Sequence, residues 1–223
     1  MKQKIIFDMM KNFETYSLPK IHQTSGWYEN NSDIRWQANC VNSFKNENIT
    51  EYYMNDEYAR ATRWNLWNDL IDIFLKYDIK SNLDIGCANN HFSFLCNKKN
   101  IFCIGIDPRQ NCLKESENLF QKEFGKSYGY VGNFQTFNEF FGNTNEILFD
   151  CITILNFLHG NDHISSEIDT LFKVLPKISK YAIITEPKWN ELGIPKYTDH
   201  YQVLEVINNT IVDHILYQLQ KNK

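Results

Sequence analysis

The sequence predicts an α/β fold: a doubly wound, mostly parallel sheet with a terminal antiparallel hairpin and an N-terminal helical cap. Three observations predict it. From residue 81 onward short apolar runs alternate with helical stretches; the first of these runs ends in a glycine turn at Ile85-Gly86; and the last two runs follow each other with no helix between them. Strands that alternate with helices imply parallel pairing through right-handed crossovers.

In chain order, residues 1–77 read as a cap and residues 78–223 as a ligand-binding domain. The cap holds Trp27, Trp36, Trp64 and Trp67, four of the five tryptophans. Thr15 to Asn48 is expected to be irregular. Asn55 suits a helix N-cap, and Asp56 and Glu57 after it suit the positive end of the helix dipole. Trp64, Trp67, Ile71 and Phe74 then recur at three- and four-residue spacing, so a helix is expected to about Lys76, with its stripe packed on the sheet. Beyond it, strands are predicted at Asn82–Ile85, Phe102–Ile106, Gly129–Val131, Asp150–Leu155 and Tyr181–Thr185. Helices fall between them at His91–Asn97, Gln110–Phe124, Thr136–Phe141 and Ser165–Ile178. Tyr201–Ile207 and Thr210–Tyr217 form the closing hairpin, around an Asn208-Asn209 turn that tolerates positive φ.

Composition narrows the function. At 223 residues and 43% hydrophobic the chain supports one core. No apolar run approaches the roughly 20 residues that span a bilayer, and Asp8 interrupts the only apolar stretch near the N-terminus. A cytoplasmic protein is expected. Six cysteines without a Cys-x-x-Cys pair read as free, mostly buried thiols. A net charge of −4 with no lysine or arginine run argues against nucleic acid as a partner.

The chemistry concentrates at the first strand-to-helix turn, Asp84-Ile85-Gly86-Cys87-Ala88. An open parallel sheet places its ligand at such a turn, beside a helix N-terminus. The second strand ends at Asp107-Pro108, 21 residues after Gly86, where a carboxylate can take both hydroxyls of a ribose. A dinucleotide site needs about three glycines to wrap a pyrophosphate, and here there is one, preceded by Asp84. That acid would repel pyrophosphate but attract an ammonium, which points to S-adenosylmethionine. The Gly-Lys-Ser/Thr of a P-loop is absent.

Asp84-Ile85-Gly86-Cys87-Ala88, the strand end Ile106-Asp107-Pro108, and the run Phe149 to His159 resemble class I S-adenosylmethionine-dependent methyltransferases, over roughly residues 80 to 220. The resemblance implies that Asp84, Gly86, Cys87 and Ala88 lie along the methionine moiety. It implies that Asp107, with Pro108, holds the ribose and that Asn133 with Phe134 meets the adenine. Leu155 and Asn156, at the end of the fourth strand, would lie beneath the cofactor.

His159 follows that strand and is the candidate general base for an acceptor hydroxyl, with Glu186 a second. Each also reads as an ordinary loop residue. Arg60 and Arg63 suit an anionic acceptor; Trp64 and Lys188 complete the candidate acceptor contacts, and Trp27, Tyr28 and Trp36 are weaker lid candidates. His159 and His163 lack an identifiable third partner, so no metal is expected. Asn156-Phe157-Leu158-His159 lacks the prolines of enzymes that methylate nucleobases. The expected activity is methyl transfer to an oxygen or nitrogen of a small polar acceptor, such as a sugar or phosphorylated precursor of bacterial envelope or capsule. The alternatives are a non-catalytic cofactor-binding or partner domain and a nucleotide-dependent oxidoreductase.

Overall fold

The computed structural model describes residues 2–24, 65–155, 165–187, 201–208 and 212–220. Seven strands form one sheet. They are β1 (Ser81–Ile85), β2 (Phe102–Asp107), β3 (Gly129–Val131), β4 (Phe149–Ile154), β5 (Ser179–Pro187), β6 (Tyr201–Asn208) and β7 (Val212–Leu219), in the order β3-β2-β1-β4-β5-β7-β6. The first five are parallel, and β7 runs antiparallel to β5 and β6. The chain winds outward from β1 to β3, then returns to place β4 on the other side of β1. The carboxyl ends of β1 and β4 therefore flank the switch point where such sheets bind ligands.

The described helices are α1 (Lys2–Thr24), α2 (Asn65–Lys76), α3 (His91–Lys98), α4 (Gln110–Phe124), α5 (Phe134–Phe141) and α6 (Ser165–Ile178). The sheet is covered on both faces, which is why its strands read as continuous apolar runs. Leu83, Ile85, Ile104, Ile106, Ile152 and Ile154 join one core with Ile6, Met10 and Phe13 of α1 and with apolar residues of α5 and α6. Cys103, Cys151, Ile183 and Leu216, on alternate positions, join a second core with Leu66, Leu70 and Phe74 of α2 and Phe92 of α3. No described helix is long and apolar enough to cross a membrane. The five described cysteines are free.

Three expectations are corrected. The first is the irregular stretch Thr15 to Asn48: α1 runs into it as far as Thr24, with Pro19 inside the helix, and residues 25–48 lie outside the described residues. Its buried residues Ile6, Met10, Phe13, Ser17 and Ile21 make a stripe one residue wide, and burial against the sheet offsets the roughly 3 kcal/mol that a mid-helix proline costs. Phe13 meets Phe140 and Phe141 of α5 at ring-centroid distances of 5.5 and 5.7 Å. Glu14 accepts the Val131 N–H at 3.0 Å, closing the edge of β3. The second correction is the hairpin register. Ile207 lies opposite His214, which a two-residue turn at Asn208-Asn209 does not allow. On its other edge β7 pairs with β5, Thr185 opposite His214 through Ala182 opposite Tyr217. The expected helix from Asn55 is described from Asn65 onward. The third is the start of α5, at Phe134 rather than Thr136, because Asn133 caps it: its side chain accepts from Thr136 N–H, and the Thr136 hydroxyl accepts from Asn133 N–H.

Candidate functional site

The loop from β1 to α3 sets the floor of the site. Gly86 and Cys87 both donate backbone N–H groups to Ile106 O, at 2.8 and 3.1 Å, tying the loop to β2. Gly86, Ala88 and Asn90 have φ of 76°, 51° and 59°. Three alternate residues thus take the left-handed conformation of a glycine-rich turn, although only the first is glycine. Ala88 is held there by its N–H, which donates to Asp107 Oδ2 at 2.8 Å. Asn90 is held by its side chain, which donates to Tyr128 O at 3.0 Å. Beneath them β2 carries Gly105, where a Cβ would lie 2.2 Å from Asn90 Oδ1 and 2.5 Å from Cys87 Sγ. The loop can settle this close to β2 only because that side chain is missing.

Two buried carboxyls lie under the loop. Asp84 is 4% exposed, and burial pushes its carboxyl up to about 7; the Thr153 bond opposes that rise and the charge of Asp107 adds to it. Asn82 Nδ2 donates to Thr153 Oγ1 at 3.0 Å, which leaves the Thr153 proton for Asp84 Oδ1 at 2.8 Å. Asp107 is fully buried at the end of β2 and paired with Arg109. Between them, burial and then the charges of Asp107 and Asp84 push the Cys87 thiol up. These effects favour the neutral thiol over the thiolate.

Other residues proposed from the sequence have mixed placements. Pro108 is buried beside Asp107, and Leu155 is half-buried at the end of β4. Asn133 uses its side-chain oxygen to cap α5, and Phe134 is buried in the core at 5% exposure. Glu186 lies on β5 opposite Asp213 of β7. His159, Asn156, Arg60, Arg63, Trp64 and Lys188 lie outside the described residues, as do His163, Trp27, Tyr28 and Trp36.

The structure adds residues that the sequence did not single out. Asn89 is 7% exposed, and its Oδ1 has no hydrogen-bond donor among the described residues. This buried acceptor sits in the loop itself and suits a cationic donor such as an ammonium. On β5 and β7, Thr185 Oγ1 and His214 Nδ1 are 2.7 Å apart and buried, next to Glu186. Leu18 and Ile21, at the end of α1, pack with Leu113, Val131 and Cys87 over the β2–β3 side of the loop. Period-two strands flagged neither Thr185 nor His214, since a polar residue inside an apolar run carries no local signal.

No family model and no curated protein matches the chain. Solved structures do. The PH0226 protein of Pyrococcus horikoshii OT3 superposes with a TM-score of 0.57 at 14% identity, over 78% of this chain and 100% of that one. Magnesium protoporphyrin IX methyltransferase (ChlM) from Synechocystis PCC 6803, solved with bound S-adenosylmethionine, gives 0.54 at 13% identity, over 73% and 81%. The methyltransferase domain of a bacterial Hen1, CtHen1-C, gives 0.54 at 12% identity, over 70% and 97%. The chain has the Rossmann-like fold of class I S-adenosylmethionine-dependent methyltransferases.

Proposed function

We propose that the chain binds S-adenosylmethionine and transfers its methyl group to an oxygen or nitrogen of a small polar acceptor, such as a sugar or phosphorylated precursor. One observation carries this reading. Three left-handed residues in a row of alternate positions, Gly86, Ala88 and Asn90, are pinned over a buried carboxylate at the next strand end. Proteins tolerate such strain where a ligand needs the backbone close.

The residues fit this cofactor better than a pyrophosphate. Asp84 and Asn89 offer acceptors to an ammonium, whereas a phosphate would meet two buried acids and one glycine. In this reading Asp107 takes the ribose, Pro108 and Leu113 flank the nucleoside, and the end of α1 shields it from water. Bound S-adenosylmethionine supplies an activated methyl group on a sulfonium. What remains for the chain is to hold the acceptor in line and exclude water. The carboxyl ends of β4 and β5 are the place for that. There we assign His159 or Glu186 as the base for a hydroxyl acceptor and Arg60, Arg63, Trp64 and Lys188 as contacts to an anionic one. An acceptor that is already ionised needs no base.

Calorimetric titration with S-adenosylmethionine, S-adenosylhomocysteine and NAD tests the reading, in the native chain and in Asp107→Ala. Micromolar binding of the first two that is lost in the variant supports it. Preference for NAD sinks it.

A further inference from the structure

We infer that Arg109 is a latch on the nucleoside end of the site, so that a ribose reaches Asp107 only after this guanidinium has left it. The inference rests on the cofactor reading above and concerns how the same site is regulated.

A carboxylate offers about four acceptor positions, and all four of Asp107's are taken. Oδ1 accepts the Arg109 backbone N–H at 2.9 Å and the Arg109 Nε–H at 2.8 Å. Oδ2 accepts the Ala88 N–H at 2.8 Å and an Arg109 Nη2–H at 2.9 Å. The carboxylate itself is 0% exposed. A ribose diol brings two O–H donors and finds no acceptor vacant. Two of the present donors are backbone amides, fixed by the β1–α3 loop and by the start of α4. Only the two guanidinium bonds can be exchanged.

Exchange is feasible because the pair is asymmetric. The Arg109 side chain is 30% exposed while that of Asp107 is sealed, so the guanidinium can move into water as the diol replaces it. Gln110, the next residue, lines a groove between α1 and α4 together with Leu18, Leu113 and Lys114. Asp107 then trades two charged donors for two neutral ones, and the cofactor's apparent affinity is lowered by the fraction of molecules whose latch is closed. The chain thereby keeps its nucleoside subsite filled from within.

The test is titration of S-adenosylhomocysteine into the native chain, Arg109→Gln and Arg109→Lys, with thermal shift on the same samples. The expected result is binding about tenfold tighter in Arg109→Gln, an intermediate gain in Arg109→Lys, and a larger ligand-induced rise in Tm for both. Should Arg109→Gln fail to fold, Arg109→Lys decides alone: a single-point ammonium is a weaker latch and must also bind tighter. Equal or weaker binding in the variants, with the native chain binding normally, overturns the latch and leaves the cofactor reading intact. Absence of binding in all three removes both. Preference of the native chain for NADP, lost in Arg109→Gln, would make Arg109 a phosphate ligand and overturn the latch by another route.

Discussion

Thr153 on β4 donates its hydroxyl proton to Asp84 on β1 across 2.8 Å, and Asn82 fixes that direction by donating to the same oxygen. The bond eases the burial of a carboxyl that also feels the charge of the fully buried Asp107.

Stability follows from that burial with a definite sign. The Asp84 carboxyl, held up to about 7, keeps a proton in the folded state that the unfolded chain releases near pH 4. Between those values the unfolded state binds fewer protons, so stability contributed by this group falls as pH rises and levels off above about 7. Asp84→Asn removes the loss. It should match the native chain near pH 4 and exceed it at pH 8, by at most about 4 kcal/mol. Urea midpoints at the two pH values decide, and identical pH slopes for the two proteins reject the assignment.

Ala88 holds a left-handed conformation at φ 51°, which costs an L-residue roughly 1–2 kcal/mol. Glycine there loses about 0.5–1 kcal/mol of that through unfolded-state entropy. Ala88→Gly should therefore stabilise by about 0.5–1 kcal/mol, and Ala88→Val should destabilise strongly. Chemical denaturation reads both; a destabilising glycine would show that the loop is unstrained.

Gly105 leaves the space into which Asn90 and Cys87 settle. Gly105→Ala is expected to cost about 1–3 kcal/mol by overpacking and to weaken S-adenosylhomocysteine binding at least several-fold by lifting the loop. Calorimetry on the folded variant checks the second effect, and unaltered affinity would separate the loop's position from binding.

Glu14 caps the β3 edge through Val131 N–H, and its carboxyl is raised by burial and by Glu117, against the Val131 bond. Glu14→Ala orphans that amide and should cost about 1–3 kcal/mol. Glu14→Gln keeps an acceptor without a charge, so it should be near-neutral and gain on the native chain as pH rises. Equal losses in the two variants would locate Glu14's role in packing.

Much of the fold was legible because both faces of the sheet are covered and β1 to β5 alternate with helices. Gln110–Phe124 and Ser165–Ile178 occupy the residues that periodicity assigns them. α1 was not legible in full. A stripe of Ile6, Met10, Phe13, Ser17 and Ile21 around Pro19 is a helix signal only once α5 and β3 are there to bury it. The hairpin register was not legible either: Asn208-Asn209 is a local turn signal, whereas the register is set by pairing along β6 and β7, which holds Ile207 opposite His214. In the candidate site, the positions of Asp84, Gly86 and Asp107 were legible because they stand at or just past strand ends at the switch point. Asn90's conformation and the Arg109–Asp107 pair were not, since left-handed φ at a non-glycine residue and a side chain folding back two positions leave no pattern in sequence.

The docking of α1 also sets an order of events during synthesis. Its Tyr16 hydroxyl donates to Glu139 of α5, a partner 123 residues further along the chain. At ribosomal rates that partner emerges roughly 6 to 25 s later. Throughout that interval α1 carries Ile6, Met10 and Phe13 without the α5 surface that covers them, so nascent chains paused before α5 should be the ones that recruit holdase chaperones.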